Sequence, residues 1–166
     1  MKTCYTLGIS LASLLLLSAP LQAADGYTAY LDGAEKVVEA LKAGDEPASQ
    51  AAPLQALATQ ADALIDPFVA RYPACAAYLS ATRALNQSWP SLSLEQIEKD
   101  YHHDGALPAI ADPKDRALCY QMKDLLVHPL TALRMLRDTP VDRAGLEHEI
   151  VEVIAHGRAL QALMAQ

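Results

Sequence analysis

Glycine, aromatic residues and cysteine are all scarce in this chain. Among its 166 residues there are seven glycines and three cysteines, and 5% are aromatic. The glycines never form a phosphate-cradling loop, and no serine occupies a G-x-S-x-G motif. The absence of C-x-x-C and C-x-x-C-H excludes a thioredoxin-type redox site, a zinc ribbon and covalently attached c-type haem. The sequence therefore favours binding over catalysis.

Basic residues are outnumbered by acidic ones. Thirteen lysines and arginines face twenty aspartates and glutamates, which gives a formal net charge of −7. This balance argues against broad neutralisation of phosphates, so nucleic acid is not an expected partner. Hydrophobic residues make up 52% of the chain and charged residues 20%, as is typical of globular proteins. The length predicts a single domain.

The first 23 residues have the pattern of a secretory signal peptide. Lys2 supplies a positive charge, an apolar run extends from Leu7 to Leu17, and the small residue Ala23 precedes the expected cleavage site. The apolar run is short for a membrane span, so we expect no stable span after cleavage. An uncleaved anchor is the alternative. The mature domain, residues 24–166, would be exported, and would be periplasmic if its source is a Gram-negative bacterium.

Two cysteines, Cys75 and Cys119, remain in the predicted mature chain. In an oxidising compartment two cysteines most simply form one disulfide. Because Cys75 lies on the apolar stripe of its segment, we expect its sulfur to point inward, toward a second helix. The alternative is a pair of free thiols that share a metal ion.

Apolar residues recur at helical spacing along the mature chain, and no segment shows convincing strand alternation. The sequence therefore predicts an all-α antiparallel bundle of four long helices plus a short one, with one interhelical disulfide. Pro67 and Pro129 each fall inside an apolar stripe and should kink or break their helices. The expected helix boundaries are an end at Gly44, a capping box at Ser93 and Gln96, and starts at Asp112-Pro113 and Thr139-Pro140.

Adjacent histidines at the end of the short helix form the first candidate metal site. His102 and His103 are followed by Asp104, so two nitrogens and a carboxylate could bind zinc or copper. Adjacent side chains on a helix point about 100° apart, so both imidazoles can reach one ion only if the helix has ended. Gly105 is compatible with such an end. The alternative is a polar helix terminus that interacts with the helix dipole.

Three further candidates lie on the last two long helices. In a straight helix His128 would share a face with Asp124, but Pro129 should break that register. Glu149 and His156 lie at the edge of the last apolar stripe and are candidates for a half-buried pair. A structural role is the alternative for each of them.

Residues 148–152 partly match the zinc-peptidase motif H-E-x-x-H. His148 and Glu149 fit it, but Glu152 stands in place of the second histidine. His148 and Glu152 are four residues apart and could chelate one ion, although His148 lies opposite the apolar stripe and should face solvent. Because Glu152 stands where the motif requires histidine, the sequence gives little support to a peptidase function.

Known cofactor bundles match the sequence poorly. No Glu-x-x-His pair of the di-iron type occurs, and no methionine precedes Met122 in the mature chain to pair with a histidine on haem. We predict an exported binding protein that holds a transition metal or metallo-cofactor through histidines of its C-terminal half. The sequence leaves the ligand open among zinc, copper and haem iron. The candidate metal-binding residues are His102, His103, Asp104, His128, Glu149 and His156. The alternative is a ligand-free module that binds a protein of the cell envelope through an exposed apolar patch.

Overall fold

The structure, a computed structural model, describes residues 19–164, with side chains from Asp25 to Leu163. Most of the predicted signal peptide lies outside these residues, so cleavage after Ala23 stays a prediction. The elements are helices α1 (Ala19–Ala43), α2 (Ala51–Arg71), α3 (Ala76–Arg83), α4 (Leu85–Ser88), α5 (Leu94–Ile97), α6 (Pro113–Met135) and α7 (Arg143–Met164), 3-10 turns Pro47–Gln50, Pro73–Cys75 and Trp89–Ser91, and a π-helical turn, Glu98–His102. The all-α prediction is confirmed.

Helices α1, α2, α6 and α7 form a four-helix bundle in which sequential neighbours are antiparallel. The α6–α7 pair shows this, since His128 contacts Glu149 near one end of the pair and Gln121 contacts His156 near the other. The first and last helices, α1 and α7, are antiparallel too, since Thr28 bonds to Gln161 and Arg143 to the Leu41 carbonyl. Residues 72–112, called here the connecting segment, carry the chain from α2 to α6 and pack mainly against α6.

The C-terminal end of α1 and the start of α6 lie where the local sequence predicts them. Gly44 has a φ of 95°, and the bonds from Gly44 N–H to Leu41 O and from Asp45 N–H to Ala40 O form a Schellman motif. The Asp112 carboxylate accepts the N–H groups of the second and third residues of α6. The predicted boundaries at Gly44 and Asp112 are confirmed.

The capping box in front of α5 is also confirmed. Ser93 accepts the backbone N–H of Gln96, whose side chain accepts the N–H of Ser93 in return. By contrast, α7 begins at Arg143 and not at Thr139-Pro140, because Asp142 provides the cap by accepting the Gly145 N–H. The predicted third helix is divided into two short helices and two 3-10 turns between Pro73 and Ser91.

The prolines do not end their helices. α2 continues through Pro67, and α6 continues through Pro129. Pro129 has no N–H for the carbonyl of Leu125, and the buried Tyr30 hydroxyl of α1 donates to that carbonyl at 2.6 Å. The prediction that Pro129 would break the register of α6 is wrong, since a side chain from the diagonally opposite helix replaces the missing bond.

The bundle has a continuous apolar core that contains the predicted disulfide. Cys75 and Cys119 are bonded and fully buried, so the connecting segment is covalently attached to α6. Within residues 19–164 no helix is both long and apolar enough to cross a membrane.

Candidate metal centre

A π-helical turn in the connecting segment directs the side chains of the adjacent His102 and His103 to different sides. His103 N–H donates to the Glu98 carbonyl, which widens the backbone at the end of the turn. Gly105 N–H then donates to the Lys99 carbonyl, so closely that a Cβ on Gly105 would lie 2.5 Å from that oxygen. The His102 side chain turns toward the bundle and is 10% exposed, whereas that of His103 is 74% exposed.

Lys123 holds this turn against α6. Its side chain is fully buried, and Nζ donates to the carbonyls of Tyr101 and His102 and to Oδ1 of Asp104. The Tyr78 hydroxyl also donates to Asp104 Oδ1, at 2.6 Å. Burial raises the pKa of Tyr78, so its hydroxyl stays protonated and keeps that role. Asp104 and Lys123 therefore position the backbone that carries His102.

Three residues are close enough to bind one metal ion. One nitrogen each of His102 and His128 and one oxygen of Asp124 lie within 4.8 Å of one another. Asp124 and His128 are one turn apart on the uninterrupted α6, and the rings of His102 and His128 meet edge to face with centroids 4.8 Å apart. All three side chains are almost completely buried. This His/Asp group could hold a metal.

His156 of α7 extends the group on its other side. Its ring stacks on that of His128 with a centroid separation of 5.5 Å. Its Nε2 lies 3.5 Å from Oδ2 of Asp124. Two metal ligands in a tetrahedral zinc site are about 3.3 Å apart, given bonds of 2.0–2.1 Å. The spacing of His156 and Asp124 fits that requirement.

Each of these imidazoles has a polar partner on one nitrogen. Glu149 Oε2 is 2.8 Å from Nδ1 of His128, and Gln121 Oε1 is 2.7 Å from Nδ1 of His156. An acceptor at Nδ1 keeps the proton there and leaves the lone pair on Nε2, as in the carboxylate–histidine–zinc arrangement of metalloproteins.

His102 shows the reverse tautomer. Its Nε2 lies 3.0 Å from Oγ1 of Thr131, and the single proton of that hydroxyl is donated to the Val127 carbonyl. Thr131 therefore accepts the Nε2 proton of His102, and the lone pair of the ring lies on Nδ1. All three rings thus keep one nitrogen for a ligand.

Burial keeps the three imidazoles neutral. Desolvation lowers the pKa of His102 to about 3 and those of His128 and His156 to about 4. A neutral imidazole is the form that binds metal ions, so at neutral pH no proton has to leave these rings first. Desolvation acts in the opposite sense on Glu149, whose pKa it raises to about 7, assisted by the nearby charge of Glu152.

Asp124 is the least satisfied group in the described part of the chain. Its carboxylate is fully buried and neither oxygen has a hydrogen bond of normal geometry, while the Lys123 ammonium and the Tyr120 hydroxyl both interact with it. Lys123 Nζ lies 3.2 Å from Oδ1 but donates to three other oxygens. Burial raises the pKa of Asp124 to about 7, against the lowering effect of the Lys123 charge. A buried carboxyl without donors is costly unless an ion or a proton compensates it.

The sequence-derived candidates divide into three groups in space. His102, His128 and His156 meet around Asp124, with Glu149 against His128, while Asp104 lies beside Lys123. His103 lies at the surface, 3.0 Å from Glu98. Glu149 and His156 are both half-buried, but each contacts a residue of α6 and no contact joins them in the described structure. The expected Glu149–His156 pair is therefore replaced by two pairs across the α6–α7 interface.

Sequence reasoning left Asp124 out of the candidate ligands, and it did not find Gln121, Lys123 or Thr131. A signal for Asp124 existed, since it is four residues before His128, and only the supposed break at Pro129 argued against it. For Lys123 and Thr131 no local signal existed, because their partners lie on the connecting segment.

The packing of the rings limits the ligand. His102, His128 and His156 contact one another in series, which leaves no space for a porphyrin plane between them. The His102, Asp124 and His128 group could hold a single metal ion. Comparisons of the chain with protein-family profiles, with curated proteins and with solved structures find no match in any of the three.

Proposed function

We propose that this protein binds one transition-metal ion between the connecting segment, α6 and α7. The ligands are His102, Asp124 and His128, with His156 as the fourth. The observation that carries the proposal is the fully buried Asp124 carboxylate, which has no hydrogen bond of normal geometry and lies within 4.8 Å of one nitrogen each of His102 and His128. A cation would bind both the carboxylate and the adjacent imidazole lone pairs, and would remove the cost of that burial.

The ligand set favours zinc or copper(II). Three imidazole nitrogens and one carboxylate oxygen are borderline ligands, which suit Zn²⁺ and Cu²⁺. Calcium and magnesium prefer sites made of oxygen ligands, whereas three of the four proposed ligands here are imidazole nitrogens. The positions of Glu149, Gln121 and Thr131 support the same assignment, because such outer partners orient metal-bound histidines.

The compartment is part of the proposal. A Cys75–Cys119 disulfide is typical of oxidising compartments, which agrees with export by the predicted signal peptide. The alternative of a ligand-free interaction module has less support, because Val151 is the one large hydrophobic residue classed as exposed among the described residues, at 44%. A single exposed residue does not make an apolar patch.

Titration of the metal-free protein with Zn²⁺ and with Cu²⁺ tests the proposal. Isothermal calorimetry should give one ion per chain, and the midpoint of thermal unfolding should rise with added ion. Asp124→Asn, which keeps the shape and removes the charge, should weaken binding at least about tenfold. His103→Ala is the matched control and should bind as the wild type does. No binding of either ion, with no thermal stabilisation, would contradict the proposed function.

A further inference from the structure

Glu152 connects the surface of α7 to the buried histidines. Its Oε1 lies 3.3 Å from Nε2 of His148, and its Oε2 lies 3.8 Å from Nε2 of His128. The exposed fraction falls along this series, from 67% for the His148 side chain to 45% for Glu152 and 4% for His128. One carboxylate therefore spans from an exposed imidazole to an imidazole of the candidate metal centre.

The Nε2 side of His128 is the side on which an arriving ion would meet a lone pair. Glu149 occupies Nδ1 of the same ring. A surface cavity of about 310 Å³ reaches Glu149 and Thr131, but both are hydrogen-bond partners of the histidines. An ion that entered through this cavity would meet nitrogens that carry protons. The approach along Glu152 has no such obstacle.

We propose that His148 and Glu152 form an outer metal site that captures the ion at the surface and transfers it to His128. This inference rests on the proposed function. The two residues are four apart on one helix and offer a nitrogen and a carboxylate, a set that suits the same borderline cations. Two protein ligands bind an ion weakly enough to release it, whereas the buried centre offers four. The Glu152 carboxylate passes the ion from the His148 side to the His128 side.

Stopped-flow measurement of Zn²⁺ uptake by the metal-free protein tests the transfer. His148→Ala should lower the association rate constant about tenfold, because the local concentration of ions at the entrance falls. The dissociation rate constant, measured by transfer to an excess of chelator, should fall by the same factor. The equilibrium affinity should stay within about threefold, since His148 does not bind the resident ion. Glu152→Gln should also slow uptake.

His103→Ala provides the matched control. It removes an equally exposed histidine that pairs with a glutamate, at a distance of 3.0 Å, but that does not contact the buried group. Uptake at the wild-type rate is expected for this variant. If His148→Ala also takes up one ion at the wild-type rate, the entry route is overturned and the proposed function stands.

A different failure identifies a different error. If His148→Ala loses affinity while its association rate stays unchanged, His148 is a ligand of the resident ion, and the transfer is overturned. If the wild-type protein takes up no Zn²⁺ and no Cu²⁺, the proposed function fails first and the outer site fails with it.

Discussion

Helices α2 and α6 pack against each other, but only α6 also buries polar residues. They are similar in length, with 21 and 23 residues, and each has an internal proline. Every buried residue of α2 is apolar, and these residues form a single stripe. α6 is buried on all sides between Met122 and Leu133, and four of its buried residues are polar: Lys123, Asp124, His128 and Thr131.

The difference follows from position in the bundle. α6 contacts α2 and α7 as neighbours, Tyr27 and Tyr30 reach it from α1, and the connecting segment covers its remaining side. On α2 a polar residue can turn to solvent, but in the fully covered part of α6 it cannot. A polar side chain between Met122 and Leu133 therefore needs a partner inside the protein. Lys123, His128 and Thr131 have hydrogen-bonded partners, whereas Asp124 has charged neighbours but no hydrogen bond of normal geometry.

The largest expected loss of stability is that of Lys123→Met in α6, compared with Leu57→Met at a buried position of α2. Lys123→Met should lower the free energy of unfolding by about 3–5 kcal/mol, because two carbonyls lose their donor and the buried Asp124 carboxylate loses its neighbouring cation. Leu57→Met in α2 should cost less than about 1.5 kcal/mol, since the residue volume is kept. Urea unfolding of the metal-free proteins measures both.

Lys123→Met should also weaken binding of Zn²⁺, because the backbone that carries His102 loses its attachment to α6. Equal losses of stability in the two variants would show that the contrast between α2 and α6 has no energetic consequence. Unchanged Zn²⁺ affinity in Lys123→Met would show that the turn is held by other contacts.

A smaller effect is expected at the proline of α6. Tyr30→Phe should cost about 1–3 kcal/mol, because the buried carbonyl of Leu125 then has no donor. Pro129→Ala supplies a backbone N–H for the same carbonyl. In a protein that carries Pro129→Ala, Tyr30→Phe should therefore lower the free energy of unfolding much less. A double-mutant cycle by urea unfolding should give a coupling free energy of about 0.5–3 kcal/mol.

Tyr27→Phe is the control for this cycle. The Tyr27 hydroxyl lies 3.5 Å from the Met122 sulfur, which is a weak acceptor, so its loss should not couple to Pro129→Ala. Additive effects of Tyr30→Phe and Pro129→Ala would mean that the hydroxyl does not replace the missing backbone bond. Pro67 of α2 differs from Pro129 in position, because the residue one turn before it, Ala63, is exposed.

The sequence predicts the fold where local chemistry decides it. Helical periodicity, the Gly44 end, the Asp112 cap and the disulfide all depend on residue types in their own segments or on a single pair of cysteines. The start of α7 is displaced by a few residues because Asp142 competes with Thr139 as the cap.

The candidate site depends on contacts that no local pattern contains. The continuity of α6 past Pro129 requires Tyr30, which lies 95 residues before Leu125 in the chain. The meeting of His102 with His128 requires the path of the connecting segment, which Lys123 and the disulfide hold in place. Periodicity could nominate the histidines one by one, but it could not show that they converge on Asp124.

The smallest expected effect is that of substituting His103. Its neighbour His102 is buried, so the two residues compare a buried with an exposed polar group at adjacent positions. His103→Ala should change the free energy of unfolding by less than about 0.5 kcal/mol, since its ion pair with Glu98 is exposed to solvent. It should leave the Zn²⁺ affinity unchanged. His102→Ala should lower that affinity at least about tenfold, because it removes a proposed ligand. Equal affinities for the two variants would mean that burial against α6 does not distinguish a ligand from a surface histidine here.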